Sequence, residues 1–132
     1  MATTAAYAAT PLLDATAITA TANTNRDGVT GTYSAIATGT SAGKYIRRVT
    51  LCAAGTTTAG VVRFFVSTDS GSTKKLVKEY LIPAITPSTT IEVYRAEISE
   101  LAGLVLPGTT AILYCSTEKA EAFNTVVESG GL

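Results

Sequence analysis

The feature that most constrains the fold is a repeated alternation of strand-like runs with turn-forming residues. After Gly28, short runs rich in Val, Ile, Thr, Tyr and Phe follow one another, separated by clusters of Gly, Pro, Ser and Asp. No segment of helical length carries an apolar period of about 3.6 residues. The best helical candidate runs from Ile98 to Gly103 and allows only one or two turns. The predicted strands cover residues 30–38, 44–53, 59–68, 73–82, 89–98, 104–106, 110–116 and 122–128.

This succession predicts an all-β fold, an antiparallel β-sandwich of about eight strands. Turns at this spacing fit a sandwich or a barrel, whereas a parallel sheet needs helices between its strands. The chain contains no Trp, so it lacks the buried Trp and the Cys…Trp…Cys spacing of immunoglobulin domains. We therefore expect a jelly-roll-like sandwich, and 132 residues suffice for one such domain with a sizeable core.

The beginning of the chain differs in composition from the rest. It consists almost entirely of Ala and Thr, and these small side chains supply too little volume for a core of their own. We therefore divide the chain into an extended Ala/Thr-rich N-terminal arm, residues 1–24, and a β-sandwich domain, residues 25–132. The arm either orders on a partner or forms an edge strand over Ala15 to Ala20. Its apolar anchors in either case are Tyr7, Leu12 and Leu13.

One predicted strand carries apolar residues on both faces. Between Val61 and Val66, the side chains of Val62, Phe64 and Val66 alternate with those of Val61, Arg63 and Phe65. Either the strand is central and covered on its second side, or that side meets another chain. The following Asp69-Ser70-Gly71 is typical of a short hairpin connection, so this strand and the next one are predicted to be antiparallel neighbours.

The residue sets from which catalytic sites are usually built are missing. The chain has no His, which excludes Ser-His-Asp and Cys-His arrangements and removes the commonest zinc ligand. The only clustered carboxylates, Glu92 with Glu97 and Glu118 with Glu121, are expected to be salt-bridged or solvated surface groups. No glycine-rich phosphate-binding loop occurs. We therefore predict that the protein is not an enzyme and has no catalytic residues, no metal site and no cofactor.

The charge balance favours protein partners over nucleic acid. Ten basic and ten acidic residues cancel, whereas proteins that neutralise phosphates normally carry a basic excess. Low charge with a net charge of zero also favours self-association.

No apolar run has the length needed to cross a bilayer, and no signal-peptide pattern follows Met1. We expect neither nucleic acid nor membrane as a partner, and two unpaired thiols at Cys52 and Cys115.

Four blocks of the sequence together resemble small virion proteins of tailed bacteriophages and prophages. The blocks are residues 21–28 (TANTNRDG), 53–64 (AAGTTTAGVVRF), 103–108 (GLVLPG) and 121–124 (EAFN). The resemblance implies a capsid decoration (cement) protein, made in the cytoplasm of the bacterial host and located on the outer surface of the virion capsid. It implies an HK97-like major capsid protein as partner, together with self-association, with a homotrimer favoured.

The expected function is therefore structural: the protein binds and stabilises the capsid shell through exposed apolar residues. Two alternatives stay open from the sequence. The protein is another phage structural component, of the tail, neck, baseplate or fibre, or it is a host-surface carbohydrate-binding module. The carbohydrate alternative predicts a cluster of exposed aromatic side chains on one face. The predicted interface residues are Tyr7, Leu12, Leu13, Phe65, Val126 and Leu132.

Overall fold

The structure, a computed structural model, describes residues 10–132 of the chain. This part of the chain contains nine β-strands and one short 3₁₀ helix, Ser99–Leu101. Tyr7, one of the predicted anchors, lies outside the described residues. The strands are β1 (Thr10–Ile18), β2 (Ser34–Thr38), β3 (Lys44–Ala53), β4 (Gly60–Ser67), β5 (Lys75–Ile82), β6 (Arg95–Glu97), β7 (Val105–Leu106), β8 (Ile112–Thr117) and β9 (Phe123–Gly131).

The strands form two antiparallel sheets that pack face to face. Sheet 1 has the order β1-β9-β3-β6, and β7 pairs with the other end of β3, beside β6. Sheet 2 has the order β2-β8-β4-β5. The predicted all-β antiparallel sandwich is therefore confirmed. The eight predicted strands correspond to β2 to β9, and the ninth, β1, lies in the Ala/Thr-rich segment.

The pairing follows the nested pattern of a jelly roll. The first strand pairs with the last, β2 with β8, β3 with β6 and β7, and β4 with β5. The chain is thus one long antiparallel ribbon that is rolled into two sheets. The tip of the ribbon is the β4–β5 turn, where Ser70 and Gly71 both have positive φ angles, 59° and 90°. The Ser72 N–H closes this turn by donating to the Asp69 carbonyl oxygen at 3.3 Å.

Two strand predictions were too long, for a local reason in each case. The predicted strand 89–98 is reduced to Arg95–Glu97 because its first part is a turn, closed by the Ser88 N–H donating to the Ile91 carbonyl oxygen at 2.9 Å. The predicted strand 30–38 begins only at Ser34 because the residues before it belong to a loop described below. The short helical candidate is confirmed as the 3₁₀ helix.

The sequence allows two alternatives for the arm, an edge strand or a segment that orders on a partner, and strand β1 is an edge strand. Its nine residues, Thr10–Ile18, pair without interruption with β9, so the edge strand begins earlier than the expected Ala15 to Ala20. The buried ammonium of Lys44, at the start of β3, contacts the Asp14 carboxylate at 3.1 Å. This ion pair joins β1 to a strand with which it does not share a ladder. Sheet 1 therefore begins inside the segment that was assigned to the arm.

The core lies between the inner faces of the two sheets. Val62 and Phe64 of β4 face inward, as their alternation predicts, and both are fully buried. Burial of such large side chains supplies the main favourable free energy of folding. The largest other buried apolar residues of the core are Ile36, Ile46, Val49, Leu51, Ile98, Leu106, Leu113, Phe123 and Val127.

Truncation of Phe64 tests this assignment of the core. Phe64→Ala removes a fully buried ring, and we expect the free energy of unfolding to fall by about 3–5 kcal/mol. The matched control is Leu81→Ala on the neighbouring strand β5, where the side chain is 78% exposed, and its effect should stay within about 0.5 kcal/mol. Urea denaturation measures both values, and equal effects of the two variants would contradict the assignment.

Candidate protein-interaction surfaces

The outer face of sheet 2 is covered over β4 by the chain itself, whereas Leu81 of β5 on the same face is 78% exposed. Residues 19–33, here named the strap, connect β1 to β2 and lie across this face. The Asn23 N–H donates to the Thr117 carbonyl oxygen at 2.9 Å, and the ring of Tyr33 packs edge-on against Phe65 with centroids 4.9 Å apart. Gly28 fits because it has no side chain: its φ is +72°, and a Cβ would stand 2.0 Å from the Lys74 carbonyl oxygen.

The strap explains why β4 carries apolar residues on both of its faces. Phe65 faces away from the core but is fully buried, because Tyr33 and its neighbours cover it. The strand is therefore central and covered on both sides by its own chain. The prediction that Phe65 contacts a partner is corrected on this ground, since its side chain has no accessible surface.

A buried guanidinium fastens the strap to sheet 2. Arg63 is 1% exposed, and its Nε donates to Glu79 Oε2 at 2.7 Å. Its remaining nitrogens donate to the Asn23 carbonyl oxygen at 3.1 Å and to Glu118 Oε1 at 3.3 Å. Buried charges are tolerated when they are paired and hydrogen-bonded in this way. The exposed Arg26 of the strap binds the same Glu79 oxygen at 2.7 Å, and these two arginines hold the pKa of Glu79 below its usual range.

Asp27 organises the middle of the strap. One carboxylate oxygen accepts the backbone N–H groups of Val29 and Thr30 at 2.9 and 3.0 Å, and the other accepts the Thr30 hydroxyl at 2.8 Å. The Tyr33 hydroxyl donates to the Thr30 carbonyl oxygen at 3.0 Å, which places its ring over Phe65. The hydrogen bonds from Thr30 and Val29 lower the pKa of Asp27 to about 2.

The outer face of sheet 1 is open, in contrast to that of sheet 2. Opposed residues of an antiparallel pair point to the same side, and here Ala15 is opposite Val126, which is opposite Thr50. Leu13, two residues before Ala15 on β1, is 67% exposed on the same face. The outward residues of β1, β9 and β3 in this region are Leu13, Ala15, Ala17, Asn124, Val126, Glu128, Arg48, Thr50 and Cys52. We name this surface the sheet 1 face.

The charges on the sheet 1 face largely neutralise one another. The guanidinium of Arg48 lies between two carboxylates, 3.4 Å from Glu97 and 3.3 Å from Glu128. In the ladder, Leu13 is opposite Glu128, and Ala15 and Val126 form the next outward pair. The face therefore combines exposed small and apolar side chains with an internally paired polar centre, a composition that suits contact with another protein.

The structure brings together two of the predicted interface residues and separates the others. Leu13 and Val126 share the sheet 1 face. Leu12 alternates with Leu13 and is half-buried on the inner side of β1. Leu132 follows β9 at the rim of the sheet, where its backbone N–H donates to the Gly43 carbonyl oxygen at 3.0 Å and its side chain is 53% exposed. The sequence could not group Leu13 with Val126, because their pairing joins the two ends of the chain.

Half-buried tyrosines are distributed over both sheets. Tyr45, Tyr80, Tyr94 and Tyr114 are all partly exposed. Lys74 lies over the rings of Tyr33 and Tyr114, with its Nζ 5.1 and 5.0 Å from the ring centroids, so these rings are engaged within the chain. In the described part of the chain, these aromatic residues do not form the exposed cluster that the carbohydrate alternative predicts.

Other chemistry-bearing residues have structural partners. Glu118 binds Arg63, and Glu121 accepts the Thr58 backbone N–H at 2.8 Å. Cys115 faces the core, where burial raises the pKa of its thiol, and Cys52 is half-buried on the sheet 1 face; both are free thiols. Among residues 10–132, no group of three His, Cys, Asp or Glu side chains is arranged to hold a metal ion.

Comparison with known proteins leaves the family of this chain open. No protein-family model matches the chain, and neither a curated protein nor a solved structure shows significant similarity to it. Within residues 10–132, no helix has the length and apolar character needed to cross a membrane.

The two arginines that share Glu79 provide a matched test of the strap. Arg63→Met leaves buried polar groups without their partner, and we expect the free energy of unfolding to fall by about 3 kcal/mol or more. Arg26→Met breaks a pair of the same length whose arginine is 61% exposed, and should cost only about 0–1 kcal/mol. Denaturant unfolding measures both. Equal costs would show that burial of Arg63 does not fasten the strap.

The low pKa of Asp27 predicts a dependence of stability on acid. Because the folded pKa of about 2 lies below the ordinary aspartate pKa of 3.8, ionised Asp27 stabilises the fold above pH 3.8, and this contribution is lost as the pH falls towards 2. We expect Asp27→Asn to be less stable than wild type at pH 6, and the difference to shrink as the pH is lowered from 5 to 2. Thermal unfolding across this range measures it, and a constant difference would contradict the prediction.

Proposed function

We propose that this chain is a structural virion protein that binds the outer surface of a tailed-phage capsid as a decoration (cement) protein. The observation that carries the proposal is the contrast between the two sheets: the strap covers β4 on the outer face of sheet 2, whereas the sheet 1 face is open. A domain with one open, nearly neutral face fits a partner that is a protein surface. The resemblance of four sequence blocks to small phage virion proteins supports the capsid as that partner.

The proposed partner is an HK97-like major capsid protein, and Leu13 and Val126 are the proposed contacts on the sheet 1 face. A protein that binds the assembled shell more tightly than free subunits stabilises the shell by mass action. Self-association would strengthen binding further, because several sites are engaged together. A homotrimer is the oligomer that the resemblance implies.

The test measures binding to shells that were assembled without this protein. Purified chain is added, and bound copies are counted by mass spectrometry of the sedimented particles. Leu13→Lys should weaken binding about tenfold or more, since it places a charge in an apolar contact. The fold should be kept, because the new lysine is opposite Glu128 in the ladder. Leu81→Lys, at an equally exposed leucine of sheet 2, should bind like wild type.

Three outcomes would contradict the proposal. Equal binding of the Leu13 and Leu81 variants would exclude the sheet 1 face as the contact. Cryo-electron microscopy that finds the protein only in rings or spikes of the particle would assign it to the tail, neck, baseplate or fibre. Glycan binding that is lost on changing Tyr45 or Tyr94 would assign it to a carbohydrate-binding role.

A further inference from the structure

The five strands at the edges of the two sheets, β1, β2, β5, β6 and β7, differ in how they are protected against pairing with another chain. Natural sheets protect their edges with short strands, bulges, lysines, prolines and inward-pointing charges. Strands β6 and β7 have three and two residues, and β2 has five residues and a register shift. Strand β5 has a register shift and two lysines, Lys75 and Lys78. Each of these edges therefore carries at least one such device.

Of these devices, strand β1 has only Pro11 and the inward-pointing Asp14. It has nine residues in uninterrupted register with β9, and among residues 10–132 no strand pairs with its other edge. It contains no lysine, and its single charge, Asp14, faces inward and is bound by Lys44 at 3.1 Å. Only Pro11, near its first end, lacks the N–H needed for a ladder. The free edge of β1 is thus a regular template for an added strand.

The sequence of β1 is complementary to a second copy of itself in one antiparallel register. Because side chains alternate between faces, inward residues must oppose inward ones, which leaves a small set of registers. A two-fold axis through Asp14 places the two Asp14 carboxylates directly opposite each other, and their like charges destabilise this register. An axis at Leu13 brings Pro11 into the ladder, and one at Thr16 shortens the paired stretch.

A two-fold axis at Ala15 avoids all of these conflicts. It pairs the seven residues 12–18 with their counterparts and leaves Pro11 outside the paired stretch. Leu13 then opposes the small Ala17, and Asp14 opposes Thr16, whose hydroxyl is a suitable donor to a carboxylate. Large side chains meet small ones on the outward side, and no like charges meet. The net charge of zero adds no long-range repulsion between two copies.

We propose that two copies of this chain associate through antiparallel pairing of their β1 strands about a two-fold axis at Ala15, which joins their two copies of sheet 1 into one continuous sheet. This contact goes beyond the proposed function and holds whether or not the chain binds a capsid. It uses the edge of β1 and leaves the sheet 1 face open. Its symmetry is two-fold, so it differs from the trimer that the resemblance implies.

Disulfide cross-linking tests the register directly, in a Cys52→Ser background. Residues on the axis have Cα atoms about 4.5–5.5 Å apart, within the range of a disulfide, so Ala15→Cys should form a covalent dimer on mild oxidation. Ala17→Cys is the matched control. It is equally exposed on the same strand, but its two copies stand four residues apart along the ladder, about 13 Å, and it should not cross-link.

The oligomeric state of the full chain provides the second measurement. Light scattering coupled to size-exclusion chromatography should give the mass of two chains, and Ala15→Lys should weaken the dimer about tenfold or more by opposing two lysines on the axis. Val29→Lys, at an exposed strap residue, should leave the dimer intact, and circular dichroism checks the fold of each variant.

Several results would overturn the inference. A wild-type chain that is monomeric or purely trimeric excludes the two-fold contact, as does equal cross-linking of the two cysteine variants. Deletion of residues 2–9 should leave the dimer unchanged. Loss of the dimer in that variant would assign the contact to residues 2–9 and not to the edge of β1.

Discussion

The ionic contact between the buried Arg63 and its partners is the constraint on which the two faces of the molecule depend. It joins β4 to the strap through the Asn23 carbonyl oxygen, to β5 through Glu79, and to the end of β8 through Glu118. A guanidinium that is 1% exposed needs several acceptors to offset its desolvation. Because these acceptors come from distant parts of the chain, the strap can satisfy Arg63 only while it lies on sheet 2, and the same placement covers Phe65.

The asymmetry between the sheets follows from this arrangement. In sheet 2, β4 has apolar residues on both faces and is covered on both, by the core and by the strap. Sheet 1 has small and apolar residues on its outer face, and the described chain leaves that face open. The ion pair between Lys44 and Asp14 holds β1 on sheet 1 and neutralises the only charged side chain of β1. Strand β1 therefore combines an outward side without charged residues with an edge that no strand of the described chain pairs.

Much of the fold could be predicted from the sequence, because alternation and turn residues are local signals. The strands from β2 to β9 follow from runs of β-branched and aromatic residues, and their nested order is compatible with the jelly roll that was expected. For β1 the sequence allows two alternatives, since Thr favours strands whereas Ala disfavours them. The covering of Phe65 could not be predicted, because it depends on contacts between the strap and residues more than thirty positions away. The one available signal was Arg63 itself, a charge between apolar neighbours on a central strand.

The nested pairing also explains why the candidate interaction surfaces lie where they do. In a ribbon whose first strand pairs with its last, the two ends of the ribbon meet at one edge of one sheet. Within residues 10–132, the free edge of β1 is nine residues long and in uninterrupted register with β9 on its other side. Backbone groups along that edge offer directional hydrogen bonds that depend on register, whereas the adjacent sheet 1 face offers area with little directionality. An edge of this kind selects a strand of matching length and pattern, and a face selects a surface of matching shape. Self-association and attachment to a larger assembly can therefore use neighbouring parts of the same sheet without competing for the same groups.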